Sequence, residues 1–299
     1  MDLQPFSDPG TWLALGLRSR HPGRPGPACD AREMSPTVQS GFASVNGASV
    51  YWESRGEGGP PLVLVHGGYG LASDFDTLAE LWSRDRRVIG LELDGHGHSR
   101  ASGRPLRWES LADDIAAVIG QLGLGQADLL GRSLGGGAAL RCAIQHPELI
   151  RQLVLVSAPH RRSAWHPEIR AAFDGMTAAT LFPQLSQSPL FASWRKVAPD
   201  PGAFPALIDA TGDLLRQPYD WSDAVAALPM PLLLIYGDAD SIPPSAAAEF
   251  HALLGGGQRD AGWDGSGLGR SRLAILPGAT HYDILDVPSL PEIVRHFLG

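Results

Sequence analysis

The chain has 299 residues, of which 43% are hydrophobic and 19% charged, so it can form one large α/β domain with an insertion or two ordinary domains. Its formal net charge of −8, from 24 Lys and Arg against 32 Asp and Glu, argues against a nucleic-acid partner. No apolar run approaches the roughly 20 residues of a membrane-spanning helix, and Cys29 and Cys142 provide neither a disulfide framework nor a zinc spacing, so we expect no membrane partner and a cytoplasmic location.

The first 39 residues differ in composition from the rest of the chain. The segment "RSRHPGRPGPACDARE" is dense in Pro, Gly and Arg and has no hydrophobic periodicity, so it has little apolar surface to bury. The preceding "WLALGL" is shorter than the apolar core of a secretory signal, and it follows Asp2 and Asp8 where such a signal has basic residues. We therefore predict a disordered leader over residues 1–39, with Met34 as a candidate native start.

Eight short runs in the remaining chain predict strands, because they are rich in Leu and β-branched residues and are mostly bounded by Gly, Pro or Asp. In chain order they are "FASVN", "SVYWES", "PLVLVHGG", "RVIGLELDG", "ADLLGRS", "QLVLVSAP", "MPLLLIYGD" and "RLAILPGATH". The first two alternate and are separated by "NGA", which predicts a hairpin at the sheet edge. The later runs are apolar throughout, as expected for strands that helices cover on both faces.

Helical patterns alternate with these strands. Apolar residues recur at helical spacing over 73–83, 108–122, 134–145, 244–254 and 289–298. Such an alternation predicts a mostly parallel, doubly wound sheet, formed by residues 40–159 and 229–299. The Gly-rich stretch 255–272 predicts a surface loop before the last strand.

Residues 160–228 interrupt the alternation, because they contain no convincing strand. This segment carries many aromatic residues among prolines and short helical patterns. It predicts a helical cap over the sheet, with Trp165 and Phe182 among the residues that line a substrate pocket. Its aromatic content favours apolar or aromatic substrates.

The segment "GRSLGG", residues 131–136, places one hydroxyl between glycines where a predicted strand meets a predicted helix. A serine that attacks a carbonyl must stand on a sharp turn, and small residues must flank it because the two backbones nearly touch. Gly131 and Gly135 provide this clearance around Ser133. The helix N-terminus also points toward developing negative charge.

From about residue 40 to the end, the chain resembles the α/β-hydrolase fold family. The segments that carry the resemblance stand in family order: "VLVHGG" (63–68), "DGHGHS" (94–99), "GRSLGG" (131–136), "YGDADSIPP" (236–244) and "PGATHYDIL" (277–285). The resemblance implies an α/β hydrolase with an eight-stranded sheet and a helical cap. It does not identify a substrate.

The resemblance also implies roles for individual residues. Ser133 matches the nucleophile, His281 the base that accepts its proton, and Asp240 the acid that holds the imidazole tautomer. Asp238 is the alternative acid, but it stands nearer the strand, and we expect it to hydrogen-bond the turn. The predicted oxyanion donors are the N–H groups of Leu134 and Gly68, with Tyr69 as the alternative to Gly68 and a further candidate to line the pocket.

The remaining histidines of these segments, His66, His96 and His98, could in principle support the loops or bind a metal ion. We expect His66 to support the oxyanion loop by hydrogen bonds rather than to transfer protons. His96 and His98 have the spacing of two metal ligands, but Ser99 and Arg100 follow where further ligands would stand, and a catalytic zinc needs at least three. We therefore predict neither metal nor cofactor.

Together these residues predict a serine hydrolase that cleaves small carboxylic esters through an acyl-enzyme. Haloalkane dehalogenases and epoxide hydrolases of this fold use an aspartate at the elbow, so Ser133 argues against both. Carbon–carbon bond hydrolases, lactonases and cofactor-free perhydrolases keep the same triad and stay open as alternatives. A ligand-binding protein without activity is the alternative of another class, and the oligomeric state is left open.

Overall fold

The structure, a computed structural model, describes residues 38–299. The predicted leader lies outside the described residues except for its last two positions. The first strand already begins at Gln39, so the folded core starts slightly earlier than the predicted boundary. Within residues 38–299, no helix is both long enough and apolar enough to cross a membrane.

The described chain forms one eight-stranded sheet with the order β1-β2-β4-β3-β5-β6-β7-β8. The strands are β1 Gln39–Val45, β2 Ala48–Arg55, β3 Leu62–Val65, β4 Val88–Leu91, β5 Ala127–Arg132, β6 Ile150–Val156, β7 Leu232–Ala239 and β8 Arg272–Thr280. The pairs β1–β2 and β2–β4 are antiparallel, and every other neighbouring pair is parallel. The prediction of a mostly parallel sheet is confirmed.

Helices follow most of the strands, as the alternation predicts. The α-helices are α1 Asp76–Trp82, α2 Trp108–Gln121, α3 Leu134–Gln145, α4 Pro167–Asp174, α5 Ala178–Leu185, α6 Pro189–Val197, α7 Phe204–Arg216, α8 Ser222–Ala226, α9 Pro244–Leu253 and α10 Leu290–Leu298. The helix predicted over 73–83 is divided, because a 3₁₀ turn over Ala72–Phe75 precedes α1. The Gly-rich residues before β8 form turns and bends, with Trp263 fully exposed.

The edge hairpin has the predicted tight turn. Val45 pairs with Ala48, so Asn46 and Gly47 alone connect β1 to β2. Their φ angles are +49° and +81°, which Asn and Gly adopt at low cost.

The central strands are buried on both faces, because side chains alternate across a strand. In β3, Val63 and Val65 belong to the apolar cluster on one face, while Leu62 and Leu64 belong to the cluster on the other. Each such side chain contributes roughly 1.5–3 kcal/mol when fully buried. This sheet is the rigid support for the loops at its carboxyl edge.

Between β6 and β7 the described chain is helical, from α4 to α8, apart from short turns. Aromatic side chains form the interior of this segment: the ring of Phe204 lies 4.9 Å from the rings of both Phe191 and Trp194. The helical character predicted for residues 160–228 therefore agrees with the structure. Its division from the core as a cap stays a prediction.

Candidate active site

Ser133 lies at the carboxyl edge of the sheet, between the end of β5 and the start of α3. Its backbone has φ +51° and ψ −118°, a conformation that is strained for any residue other than glycine. Its N–H donates to the carbonyl oxygen of Val156 at 2.9 Å, which anchors the turn to the end of β6. Strain of this kind is expected where a turn presents a reactive hydroxyl.

The glycines of this turn are required by close contacts between backbones. A Cβ atom on Gly135 would lie 2.2 Å from the carbonyl oxygen of His66, and one on Gly131 would lie 2.4 Å from the carbonyl oxygen of Gly135. Real Cβ atoms do not approach other atoms so closely. The spacing in "GRSLGG" therefore reflects two backbones that touch, as the sequence predicts.

The structure brings Ser133, His281 and Asp240 together in one hydrogen-bonded chain. His281 follows β8, and its Nε2 lies 2.9 Å from Ser133 Oγ, while its Nδ1 lies 2.8 Å from Asp240 Oδ1. In this arrangement Nδ1–H donates to the carboxylate and Nε2 is free to accept the serine proton. The three residues come from three separate loops at the same sheet edge.

Asp240 is held as a buried anion. Its Oδ2 accepts hydrogen bonds from Ser157 Oγ at 2.5 Å and from the backbone N–H of Gly237 at 3.2 Å. Burial by itself would raise the pKa of Asp240, but the hydrogen bonds and the charge of His281, together with these two donors, lower it below its ordinary value. The carboxylate is therefore ionised whenever the chain is folded near neutral pH.

Asp238 has a different environment from Asp240. It is exposed, and its Oδ1 accepts a hydrogen bond from the backbone N–H of Gly278 at 2.8 Å. This contact connects the end of β7 to β8, which is the turn-bonding role that the sequence predicts for it. His281 is bonded to Asp240 instead.

The two residues that carry the predicted oxyanion donors, Gly68 and Leu134, lie next to each other. A Cβ on Gly68 would lie 3.8 Å from the side chain of Leu134, so the two residues are neighbours. Neither N–H donates to a backbone or side-chain acceptor within the described range, and the N–H of Tyr69 does not either. The choice between Gly68 and Tyr69 as second donor therefore stays open.

His66 supports the oxyanion turn, as the sequence predicts. Its Nε2 accepts from the N–H of Leu93 at 3.1 Å, so its Nδ1 carries the proton that is donated to the carbonyl oxygen of Gly67 at 2.7 Å. Burial, followed by the nearby His96, lowers the pKa of His66 to about 3. A neutral imidazole with both nitrogens occupied is not available for proton transfer.

The histidines of the segment after β4 bond to protein groups. His96 Nδ1 lies 3.1 Å from the carbonyl oxygen of Asp94, and His98 Nδ1 lies 3.0 Å from Glu92 Oε2. Over residues 38–299, no group of three or more His, Cys, Asp and Glu side chains has an arrangement that would hold a metal ion.

Arg132, immediately before Ser133, is a site residue that the sequence reasoning missed. Its Nη2 donates to the carbonyl oxygen of His281 at 2.6 Å, and its Nη1 would lie 2.9 Å from a Cβ on Gly67. Within the part of the chain that is described, no carboxylate lies within 4.0 Å of its guanidinium. Arg132 thus connects the turn of Ser133 to the histidine loop and contacts the oxyanion turn.

Ser157 was missed as well. It follows β6, it is fully buried, and it has φ +53°. Its position at the carboxyl end of a central strand indicates that it lies near the site, because ligand-contacting residues of parallel sheets gather there, but it does not reveal the contact with Asp240.

A cavity of about 240 Å³ opens beside Ser133 and His281. Helices α4 to α7 and the connection between α4 and α5 supply much of its apolar wall, with Ile169, Phe173, Met176, Leu185, Leu190 and Leu215. Trp165 lines it too, and its ring lies 5.5 Å from the ring of His281. Gly68, Tyr69 and Leu134 border the same cavity.

Phe182 does not line this cavity, so the prediction that placed it there needs correction. Its ring packs instead against Phe191 and Phe204, at 5.6 and 6.3 Å. The apolar pattern of α5 correctly indicates a buried face, but that face is divided, because Leu185 borders the cavity while Phe182 meets other helices of the segment.

Comparison with known proteins identifies a family model and many relatives. The family model described as alpha/beta hydrolase fold matches residues 60–188. The chain is 30% identical over 261 residues to pimeloyl-[acyl-carrier protein] methyl ester esterase of Nitrosomonas europaea, covering 81% of this chain and 96% of that protein.

A second relative is longer than this chain. The dihydrolipoyllysine-residue acetyltransferase component of the acetoin cleaving system of Pseudomonas putida is 31% identical over 227 residues, which are 69% of this chain and 59% of the relative. Among solved structures, a thermophilic esterase from Thermogutta terrifontis matches with a TM-score of 0.65 at 22% identity, covering 87% of this chain and 98% of that one. This last likeness is one of fold.

Proposed function

Because the chain belongs to the α/β hydrolase fold family, we propose that it is a serine hydrolase that cleaves carboxylic esters through an acyl-enzyme intermediate. The observation that carries the proposal is the hydrogen-bonded chain from Ser133 Oγ through His281 to Asp240, with distances of 2.9 and 2.8 Å. The cavity beside Ser133 and a relative named as a methyl ester esterase also support it.

In the first half of the reaction, Ser133 Oγ attacks the ester carbonyl carbon while its proton passes to His281 Nε2. The negative charge that develops on the carbonyl oxygen is stabilised by the N–H group of Leu134 and by that of Gly68 or Tyr69. Asp240 stabilises the imidazolium that forms and keeps Nδ1 protonated. The carbon–oxygen bond then breaks, His281 returns the proton to the departing alcohol, and the acyl group stays on Ser133.

In the second half, His281 Nε2 takes a proton from a water molecule, whose oxygen attacks the acyl carbon. The same N–H groups stabilise the second oxyanion, and the proton returns to Ser133 Oγ as the carboxylic acid leaves. His281 ends in the state in which it began, so no redox partner or second substrate other than water is consumed.

The test is hydrolysis of p-nitrophenyl acetate and butyrate by the purified chain and by Ser133→Ala. We expect the substitution to lower kcat by about 10³–10⁶, because the members of a triad act as a unit. Ser245→Ala is the matched control, since Ser245 is an exposed serine of α9.

Labelling separates the mechanism from background hydrolysis. A fluorophosphonate should modify Ser133 in the native chain and leave Ser133→Ala unmodified. If Ser133→Ala hydrolyses the esters as fast as the native chain, the proposed mechanism is wrong. If the folded native chain hydrolyses no ester, a binding protein without activity becomes the better interpretation.

A further inference from the structure

Thr211 on α7 places a buried hydroxyl in the wall of the cavity beside Ser133. The residue is 1% exposed, and its Oγ1 has no hydrogen-bond partner within residues 38–299. A threonine inside a helix can bond the carbonyl four residues earlier, but here that bond is not made. Buried polar groups of native proteins are rarely left in this state, so each such group calls for an explanation.

Tyr69 presents a second hydroxyl to the same cavity. Its phenol donates to Met176 Sδ at 3.3 Å, and a thioether is a weak acceptor. The Thr211 hydroxyl lies near enough to the Tyr69 phenol to oppose the rise in its pKa that burial causes, but the two hydroxyls do not form a hydrogen bond of normal geometry. Tyr69 also keeps φ +62°, a backbone strain that tends to be kept where a side chain must point in one direction.

Much of the cavity wall that these two hydroxyls share is apolar. It includes Met176, which Tyr69 contacts, and Phe173 and Leu190 from α4 and α6. A ligand that filled the cavity with hydrocarbon alone would leave both hydroxyls without a strong partner, at a cost in binding free energy. A ligand oxygen between them would satisfy both.

The charge near this position selects among oxygen-bearing groups. Asp209, on the same helix, raises the pKa of Tyr69 through its negative charge, so it disfavours a second anion there. A neutral acceptor is therefore favoured over a substrate carboxylate at these two hydroxyls. A keto oxygen has two lone pairs and can accept from both hydroxyls at once.

We propose that Tyr69 and Thr211 are specificity-determining residues that bind a neutral keto oxygen on the acyl chain of the substrate. This inference rests on the proposed esterase function and narrows its substrate class to esters of oxo acids. The acyl chain is the part concerned, because it stays on Ser133 beside the cavity until water releases it, whereas the alcohol departs first.

The experiment compares p-nitrophenyl pentanoate with the 4-oxopentanoate ester, and the hexanoate with the 5-oxohexanoate ester. We expect the native chain to prefer the oxo ester of at least one pair by about tenfold in kcat/KM, since sites built to bond a substrate oxygen discriminate against analogues that lack it. Thr211→Val, which keeps the shape but removes the hydroxyl, and Tyr69→Phe should each abolish most of this preference. Thr211→Ser, which keeps the hydroxyl, should retain it.

The possible failures are distinguishable. Hydrolysis of the unsubstituted esters with no preference for either oxo ester overturns this inference and leaves the proposed function standing. A preference that survives in both Thr211→Val and Tyr69→Phe also overturns it. If no ester is hydrolysed at all, both the proposed function and the inference that depends on it are wrong. Circular dichroism and thermal midpoints identify any variant that is misfolded, and in that case Thr211→Cys replaces Thr211→Val.

Discussion

The loops at the sheet edge and the helices between β6 and β7 hold their side chains in different ways. Ser133, Asp240 and His281 are fixed by hydrogen bonds, and Asp240 alone receives three. The helices instead place aromatic and aliphatic side chains by packing, as Phe204 does between Phe191 and Trp194. Under the proposed function, the sheet edge supplies the reacting groups, and the helices supply much of the apolar wall of the cavity.

The largest effect that tests this division is expected at two carboxylates near the end of β7, those of Asp238 and Asp240. Asp240→Asn should lower kcat by about 10⁴ in a folded protein, because the amide cannot hold the imidazole in the required tautomer. Asp238→Asn, the matched control, removes an acceptor for the Gly278 N–H and should cost roughly 0.5–2 kcal/mol of stability, by analogy with capping side chains. Kinetics and chemical denaturation measure both, and the reverse pattern would show that the acid is misassigned.

The second prediction concerns the histidines that support the sheet edge. Burial lowers the pKa of His96 to about 4, so between pH 6.5 and 4 the unfolded chain binds a proton that the folded chain does not. His96 therefore makes the free energy of unfolding fall as the pH falls through this window, by about 1.4 kcal/mol per pH unit.

We expect His96→Gln to reduce the slope of the free energy of unfolding against pH by about 1.4 kcal/mol per pH unit between pH 4 and 6.5. Urea denaturation of both proteins at several pH values between 4 and 6.5 provides the comparison. Parallel profiles for the two proteins would mean that His96 is protonated in the folded state, against its burial.

The third prediction concerns Arg132, which can act either by positioning the His281 loop or by binding substrate. Arg132→Met removes the hydrogen bond to the His281 carbonyl, and bonds of a charged donor are worth about 1.5–3 kcal/mol, which corresponds to a loss of about 10- to 100-fold in kcat if the loop shifts. KM should change much less, and Arg132→Lys should recover part of the loss. A raised KM at constant kcat would instead assign Arg132 to substrate binding.

The smallest effect is expected in the helices. Phe173→Ala enlarges the cavity, so it should shift the preferred acyl length upward by one or two carbons and change kcat/KM ratios by severalfold. Phe182→Ala is the matched control, because Phe182 packs away from the cavity. It should lower the thermal midpoint without changing the order of preference among p-nitrophenyl esters. A change in length preference in Phe182→Ala would contradict the division of roles.

The sheet was predictable, because apolar runs bounded by Gly, Pro or Asp show where strands stop. The family resemblance implied the roles of Ser133, Asp240 and His281, and the structure brings these residues within hydrogen-bond distance of one another. The role of Ser157 was not predictable. Its contact with Asp240 depends on the pairing of β6 with β7, which no local sequence pattern shows. Arg132 was not predictable either, because the close backbone contacts of the "GRSLGG" turn require its glycines but do not restrict the residue type at position 132. The error at Phe182 has a related cause, because helical periodicity identifies a buried face but not the neighbour that covers it.

The adjacency of β6 and β7 has a consequence for how such a chain can be diversified. Leu153 pairs with Leu232, so the two strands that flank the helical segment are joined directly through the sheet. Loop-closure entropy grows only slowly with length, so that intervening chain can be exchanged as a cassette at modest cost. Directed evolution of substrate range should therefore graft or shuffle the helices α4 to α8 and leave the sheet sequence untouched.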